Sequence, residues 1–390
     1  MRTSLNFSCP SRSSLRCGRE IEVNKGHDAS GIRYHASPIA ETGIALIIVM
    51  ISILVLAVLA GGFAWSMKVE TRLAYNANSE DELEWLGRSG VEYARWILAQ
   101  ELQKPVQYDA LNQVWAGGPG DIATTNTALM FVEKEVHLGH GSFTWKITDC
   151  ERKANINTAS EVLLQQAMLQ VGVDPSESAQ IIGAILDWID PDNTVHLQGA
   201  ESDYYQSLNP PYEAKNGPID DLSELLLVKG ITPEIYWGPA SSNNIPGMIE
   251  RKLNRFGSQA NANAPAYTVG LVELFTPISY GKINLNTASA SVLQMIPGVD
   301  NAIANAIVAG RQGEDDGSGL LGPYRNINDL QRVPEVPRGI IGAFAQFCDV
   351  RSKTFEVQID AQVGNYKRTF YATLGRNNPK DIQTLIFYWK

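Results

Sequence analysis

The segment Asp187–Gly230, DWIDPDNTVHLQGAESDYYQSLNPPYEAKNGPIDDLSELLLVKG, gathers hard oxygen ligands on a short stretch of chain: Asp190, Asp192, Asn193, Glu201 and Asp203. Calcium takes about six to eight oxygens, and alternating Asp/Asn residues in a turn supply several while a later carboxylate closes the cage. The twelve-residue spacing and central Gly of an EF-hand are absent. A solvated acidic loop whose Asp residues cap helices would use the same residues, so spacing alone leaves both readings open. Asp187, Asn216 and Asp220 could join a cage or serve as helix face and caps. Asp315-Asp316, in the loop GEDDGSG, form a second acidic candidate.

Other chemistries find little support. The five His residues stand at 27, 35, 137, 140 and 196, and none makes a close zinc-type pattern with Cys or Glu. No G-x-S-x-G or phosphate-loop motif occurs, so no enzyme is expected. The formal net charge is −10; a phosphate-binding surface shows the opposite balance. Cys150 and Cys348 lie at the end of one β-rich region and the start of another. A bridge between them would staple the ends of the intervening segment in an oxidising compartment, with free buried thiols as the alternative.

The elements that must carry these residues begin with an apolar run. From Ile44 to Met67 the sequence reads IALIIVMISILVLAVLAGGFAWSM, 24 residues without a charge. As a helix it spans about 36 Å, enough to cross a hydrocarbon layer of about 30 Å with some tilt. Six Lys/Arg precede it, which favours a cytoplasmic N-terminus and an external globular part. From Lys68 to about Gln103 there is no Pro, only Gly87 and Gly90 interrupt good helix formers, and apolar residues recur at helical spacing. Pro105 closes the run. One helix, apolar first and amphipathic after, is expected. Trp85, Tyr93 and Trp96 on its second half are candidates for contact with another helix or with the chain's own sheet.

Alternating residues over 129–149, around Gly139-His140-Gly141, signal a β-hairpin. A second β-rich stretch runs from Thr354 to Leu374 with a turn at Gly364-Asn365, and TLIFYWK at the end could add a strand. The roughly 200 residues between read mainly as helices and loops. They contain an internal repeat: Ala154-Asn155-Ile156-Asn157-Thr158-Ala159-Ser160 returns as Lys282-Ile283-Asn284-Leu285-Asn286-Thr287-Ala288-Ser289. Each copy leads into a helix and a short hairpin, Val171-Gly172-Val173-Asp174-Pro175 or Ile296-Pro297-Gly298-Val299-Asp300, and Val228-Lys229-Gly230-Ile231-Thr232-Pro233 is a partial third. These resemble helix-hairpin-helix motifs, and INLNTASASVLQMIPGV is similar to copies in competence-type DNA receptors. That defines a rival reading, a membrane-anchored DNA-binding protein. Against it, no Lys or Arg occurs between Lys282 and Arg311 to meet phosphate.

Gly43-Ile44, a Gly directly before the apolar run, resembles the processing site of the type IV pilin superfamily. The acidic segment is closely similar to the K-type minor pseudopilins of type II secretion systems: Asp-Trp-x-Asp-x-Asp, Gly-Ala-Glu with a Tyr pair, Pro-Pro-Tyr, an Asn-x-Pro turn, and Ser-Glu-Leu leading to Lys-Gly. The resemblance implies cutting between Gly43 and Ile44 by a prepilin peptidase and methylation of the new terminus, with Cys9 and Cys17 lost in the leader. Ile48 would then be the fifth mature residue, where most pilins carry Glu, a departure K-type subunits share. It also implies a subunit in the inner membrane with its globular part in the periplasm, in contact with membrane lipid. The partners it implies are the I- and J-type minor pseudopilins, the major pseudopilin and the inner-membrane secretion platform, with no nucleic acid. The role it implies is capping the tip of a periplasmic pseudopilus and helping initiate its assembly. Calcium bound in the helical region is implied as well. The expected fold is α+β: leader 1–43; membrane-spanning helix 44–67; a pilin-like α/β domain with an antiparallel sheet in two parts, 68–153 and 346–390; and an inserted all-α domain, 154–345.

Overall fold

The apolar run and its continuation form one helix, α1 (Thr42–Glu101), 60 residues long. The computed structural model describes residues 42–103, 108–120, 129, 131–239, 267–312 and 322–390. Residues 1–41 of the expected leader 1–43 (with Cys9, Cys17, His27 and His35), Pro105 and Asp315-Asp316 lie outside the described residues. Residues up to Thr71 form one unit and Arg72–Lys390 another.

In the first unit the apolar side chains stand bare: Ile44 is 66% exposed and Phe63 68%. Ser52 donates its hydroxyl to the Ile48 carbonyl (2.8 Å), and Thr71 to that of Met67 (2.7 Å). These polar atoms are satisfied inside the helix and do not need water, as a lipid environment demands. Among the described residues this is the one helix long and apolar enough to cross a membrane.

In the second unit the sheet runs β1 (Glu135–Leu138), β2 (Gly141–Asp149), β7 (Thr354–Val363), β8 (Tyr366–Asn378), β9 (Asp381–Trp389), every pair antiparallel. The turns fall at Gly139-His140 and Gly364-Asn365, as the alternation implies. In β7 every second residue (Phe355, Val357, Ile359, Ala361, Val363) is buried, the period-two signature of a sheet with one dry face. The second part of α1 lies on that face, with Leu83, Leu86, Val91, Ala94, Ile97 and Leu98 in the shared core. A Cβ at Gly87 would come within 2.6 Å of the Phe370 ring, and one at Gly90 within 2.7 Å of Ile359. The two glycines that weaken the helix by propensity are where the sheet approaches it. Tyr93 packs edge-on against Phe143 and Trp145 and stacks on Trp96, whereas Trp85 points outward, 70% exposed.

Between β2 and β7 the chain builds a second core around Ile156, Leu164, Met168, Ile185, Tyr205, Phe275, Leu285 and Phe344. The repeat is a structural duplication. In each copy the first Asn accepts from the amide two residues on, Asn157 N to Asn155 and Asn286 N to Asn284, both at 2.9 Å. The second Asn clamps a distant backbone with both ends of its amide: Asn157 holds the Ile219 N and O, and Asn286 the Tyr324 N and O. A Ser then caps the following helix, Ser160 for α2 (Glu161–Val171) and Ser289 for Ala290–Leu293. After each clamp comes a tight helical turn opened by a capping box, Asp221/Glu224 or Asn326/Asp329. The insertion, expected to be all-α over 154–345, also carries a short parallel ladder, β3 (Ala154–Asn155) with β4 (Phe275–Thr276), and a second, β5 (Ile283–Asn284) with β6 (Cys348–Asp349), ties it to the chain just beyond. They arise because each copy enters its Asn turn in extended conformation.

The expected Cys150–Cys348 bridge is not formed; both thiols are free. Cys348 belongs to the helical core and pairs through β6 with Ile283. Cys150 opens the short turn after β2 and is only half-buried. The ends of the insertion are joined by buried polar groups instead. Asp149, the last residue of β2, accepts through Oδ2 from Asn284 Nδ2 (3.0 Å), Thr287 Oγ1 (2.5 Å) and Ser352 Oγ (2.7 Å). Beside it Arg376 of β8 donates to Asp109 Oδ2 (2.5 Å), with both side chains buried.

Burial, and after it the neighbouring Glu151, pushes the Asp149 carboxyl up to about 8 from an ordinary 3.8. A carboxyl whose pKa is raised on folding contributes most below its unfolded value and loses that contribution as pH rises through the folded one. The free energy of unfolding is therefore expected to fall between about pH 4 and pH 8. In Asp149→Asn this decline should flatten, as read by urea titration of the detergent-solubilised chain at several pH values.

Candidate metal centre

The acidic residues are presented by α3 (Pro175–Ile189) and the loop that follows. Asp174 caps α3 through the Ser176 amide (2.9 Å) and Pro175 occupies its first turn. Its last turn carries Asp187, fully buried, and ends on Asp190. Under that turn Trp188 meets Tyr205 edge-on with centroids 5.2 Å apart, and Tyr205 stacks on Tyr212 at 5.2 Å. The Tyr pair and the Pro-Pro-Tyr run therefore form an aromatic floor that fixes where α3 stops.

The loop folds back so that Asp190, Asp192 and Glu201 bring carboxylate oxygens within 4.8 Å of one another, and the Asp187 and Asp190 oxygens lie within the same distance of each other and of a His196 ring nitrogen. Gly199 makes the return possible, since a Cβ there would overlap the Asp187 carboxylate. Asp192 accepts from the Thr194 amide (2.7 Å). Asn216, in left-handed conformation at φ 46°, donates to the Asp192 carbonyl (2.8 Å) and to Asn193 Oδ1 (2.9 Å). Lys229 of the partial third hairpin lies over the Tyr204 ring and donates to the Gly199 carbonyl (3.0 Å).

Of the five residues that the sequence singles out, Asp190, Asp192 and Glu201 converge. Asn193 stands beside them with its oxygen engaged by Asn216, and Asp203 is exposed in the first turn of α4 (Ser202–Gln206). Asp187 joins the cluster from the buried face of α3, three residues before Asp190. His196, which makes no zinc pattern in the sequence, touches Asp187 Oδ1 through Nδ1 (2.5 Å) and through its backbone amide (2.9 Å). No sequence signal marks that contact, because it depends on how the loop closes.

Asp187 Oδ2, Asp190 Oδ1, both Glu201 oxygens and Asn216 Oδ1 are buried without a donor. Burial, then the neighbouring Asp187, Asp190 and Asp192, pushes the Glu201 carboxyl up; burial, then Asp192, does the same to Asp190. The hydrogen bond that the His196 ring donates to the Asp187 carboxylate holds the ring above its usual range. Buried acceptors without donors cost free energy unless something positive meets them. All-oxygen donors of this kind suit a hard divalent cation such as calcium, which Asp190, Asp192 and Glu201 would hold, with Asp187 close to Asp190 on its other side. His196 would orient Asp187 from outside.

The hairpin cations have other work. Arg311 donates to the Leu285 carbonyl (2.7 Å), and burial lowers its guanidinium to about 10. With Lys229 donating to the Gly199 carbonyl, both already serve backbone acceptors.

A long apolar helix, an antiparallel sheet under its continuation and a helical insertion between the second and third strands of that sheet make a pilin-like fold of the α+β class. Residues 145–237 match the family model for type II secretion system (T2SS), protein K, and residues 279–348 a helix-hairpin-helix motif. The type II secretion system protein K of Aeromonas hydrophila is 24% identical over 50% of this chain and 61% of its own length, and that of Klebsiella pneumoniae 24% over 50% and 60%. The protein of Pseudomonas aeruginosa is 24% identical over 70% of this chain and 74% of its own. The chain thus spans about three fifths of the first two relatives. A chain in the crystal structure of the GspK-GspI-GspJ complex from enterotoxigenic Escherichia coli shares the fold, with TM-score 0.56 and 18% identity over 81% of this chain and 99% of that one. Over residues 145–237 the chain thus resembles the type II secretion system protein K family.

Because the approach of Gly199 to Asp187 leaves no room for a side chain, Gly199→Val should lower stability by about 1–3 kcal/mol. Gly217→Ala, whose Cβ meets nothing nearer than 3.7 Å, should stay close to wild type in the same urea titration.

Proposed function

We propose that this subunit caps the tip of a periplasmic pseudopilus and helps initiate its assembly for protein export. It would sit in the inner membrane through α1, with the part after the apolar run in the periplasm. The observation that carries the reading is Ile48: the fifth residue of the expected mature chain is a bare aliphatic, 60% exposed on the apolar helix. A shaft subunit needs a carboxylate there to neutralise the terminal amine of the subunit above, and a charge at that depth is costly without its partner. A terminal subunit has no such neighbour. The structurally similar chain comes from a complex with GspI and GspJ, which supports the I- and J-type minor pseudopilins as partners here. The major pseudopilin, the secretion platform and prepilin peptidase complete the set. Lys229 and Arg311, both engaged by backbone carbonyls, disfavour the DNA-binding alternative.

Calcium would hold the Asp190–Asn216 loop against α3 and shape the surface of the insertion. The orphaned oxygens of Asp187, Asp190, Glu201 and Asn216 support this.

Co-expression with prepilin peptidase and the I- and J-type subunits should give a mature chain beginning at Ile44, recovered in complex with both. Processing should vanish in Gly43→Val, with intact mass and pull-down as readouts; an uncut chain under conditions that process a control pilin would sink the proposal. Calcium at about 100 times its Kd should raise stability by about 2.7 kcal/mol, seen as a melting-point increase of several degrees. Asp190→Asn and Glu201→Gln should abolish most of that increase, and equal shifts in wild type and variants would overturn the calcium reading.

A further inference from the structure

A second polar pocket lies where the sheet meets the insertion, away from the acidic loop. Lys282, Arg351, Lys353 and Arg376 line it with Glu151 and Asp349. The two acids are turned to backbone. Glu151 accepts from the amides of Tyr280 (2.9 Å) and Thr354 (3.0 Å), and Asp349 from that of Val350 (2.7 Å). Arg376 is the informative residue. Its side chain is 2% exposed, and Nη2 is taken by Asp109 Oδ2 and the Ser352 carbonyl. Its flat face lies on Phe355, 4.5 Å from the ring centroid. Yet Nε and Nη1 are buried with no acceptor.

A buried guanidinium with idle N–H groups carries the full penalty of desolvation without the compensating bonds. A second cation is poised at the same pocket: the Lys353 amine lies 3.3 Å above the centre of the exposed Tyr280 ring. Aromatic support holds the amine in place.

We propose that this pocket binds a small oxyanion, a carboxylate or a phosphate group, with Arg376 as its buried donor and Lys353 as its outer one. Charge-assisted bonds to planar or tetrahedral oxyanions are what a guanidinium beside an amine provides. The pocket draws on residues that follow β2, precede β5 and lie in or beside β7 and β8. An anion there would join the two cores at a point where the chain itself leaves donors unused. The site is independent of the cation loop and of the place in the pilus.

The test is isothermal titration of the detergent-solubilised full chain with inorganic phosphate and with acetate, against chloride at matched ionic strength. Saturable binding of phosphate alone identifies a phosphate source and of acetate alone a carboxylate source; either supports the proposal. Lys353→Gln should weaken that binding about tenfold, the loss of one charge-assisted contact. Its unliganded melting point should hold, because the Lys353 side chain rests on an exposed ring rather than in a core. Heats no different from chloride, or equal affinity in Lys353→Gln, overturn it. Arg376→Lys is the harsher variant, since it also disturbs the pair with Asp109. At a melting point equal to wild type it should weaken binding as well, and unchanged affinity there would count against the proposal.

Discussion

Asp149 is the point on which the second unit turns. It ends a strand of the sheet, yet its side chain is answered by Asn284 and Thr287 of the second repeat and by Ser352 before β7. A chain that leaves a sheet for some 200 residues and returns to the neighbouring strand faces a large closure entropy. Side-chain donors from both ends, gathered on one buried carboxyl group, offset part of it and hold β7 beside β2. The Asp109–Arg376 pair stands beside it and binds the segment after α1 to β8. With Glu151, which accepts from Tyr280 and Thr354, that polar knot joins the two apolar cores.

Much of this was legible in the sequence for simple reasons. The membrane helix is a matter of length and composition, and the strands β2, β7 and β8 announce themselves by alternation with glycine turns between. The duplication was visible because the Asn-x-Asn-Thr-Ala-Ser run does one backbone job twice. Other features were hidden because they depend on tertiary closure. Asp187 reads as one more acid on a helix until the loop comes back over Gly199. The free state of Cys348 follows from the core it faces, which spacing could not reveal. The two-residue ladders are too short to leave a periodic pattern.

The two repeat modules also explain where the candidate metal loop came from. Both run from an Asn turn through a capped helix and hairpin to a clamped backbone and a capping box. They differ in what lies between the hairpin's second helix and the clamp: the first module carries the long acidic loop between Ile189 and Ile219, and the second a shorter connection before Tyr324. Because the clamp fixes the far end, the loop could lengthen and gather carboxylates without disturbing either core.

The notches at Gly87 and Gly90 carry a mechanical meaning. Phe370 and Ile359 sit in them like pegs, so the amphipathic half of α1 has one seating along the sheet. Sliding it by a turn could carry one peg to the neighbouring notch, but would drive the other against a residue that has a side chain. A load applied along the helix axis would thus be met by steric stops rather than by the gradual shear of a smooth apolar face. The sheet and its helix then behave under tension as a ratcheted joint, which slips only if the packing first opens.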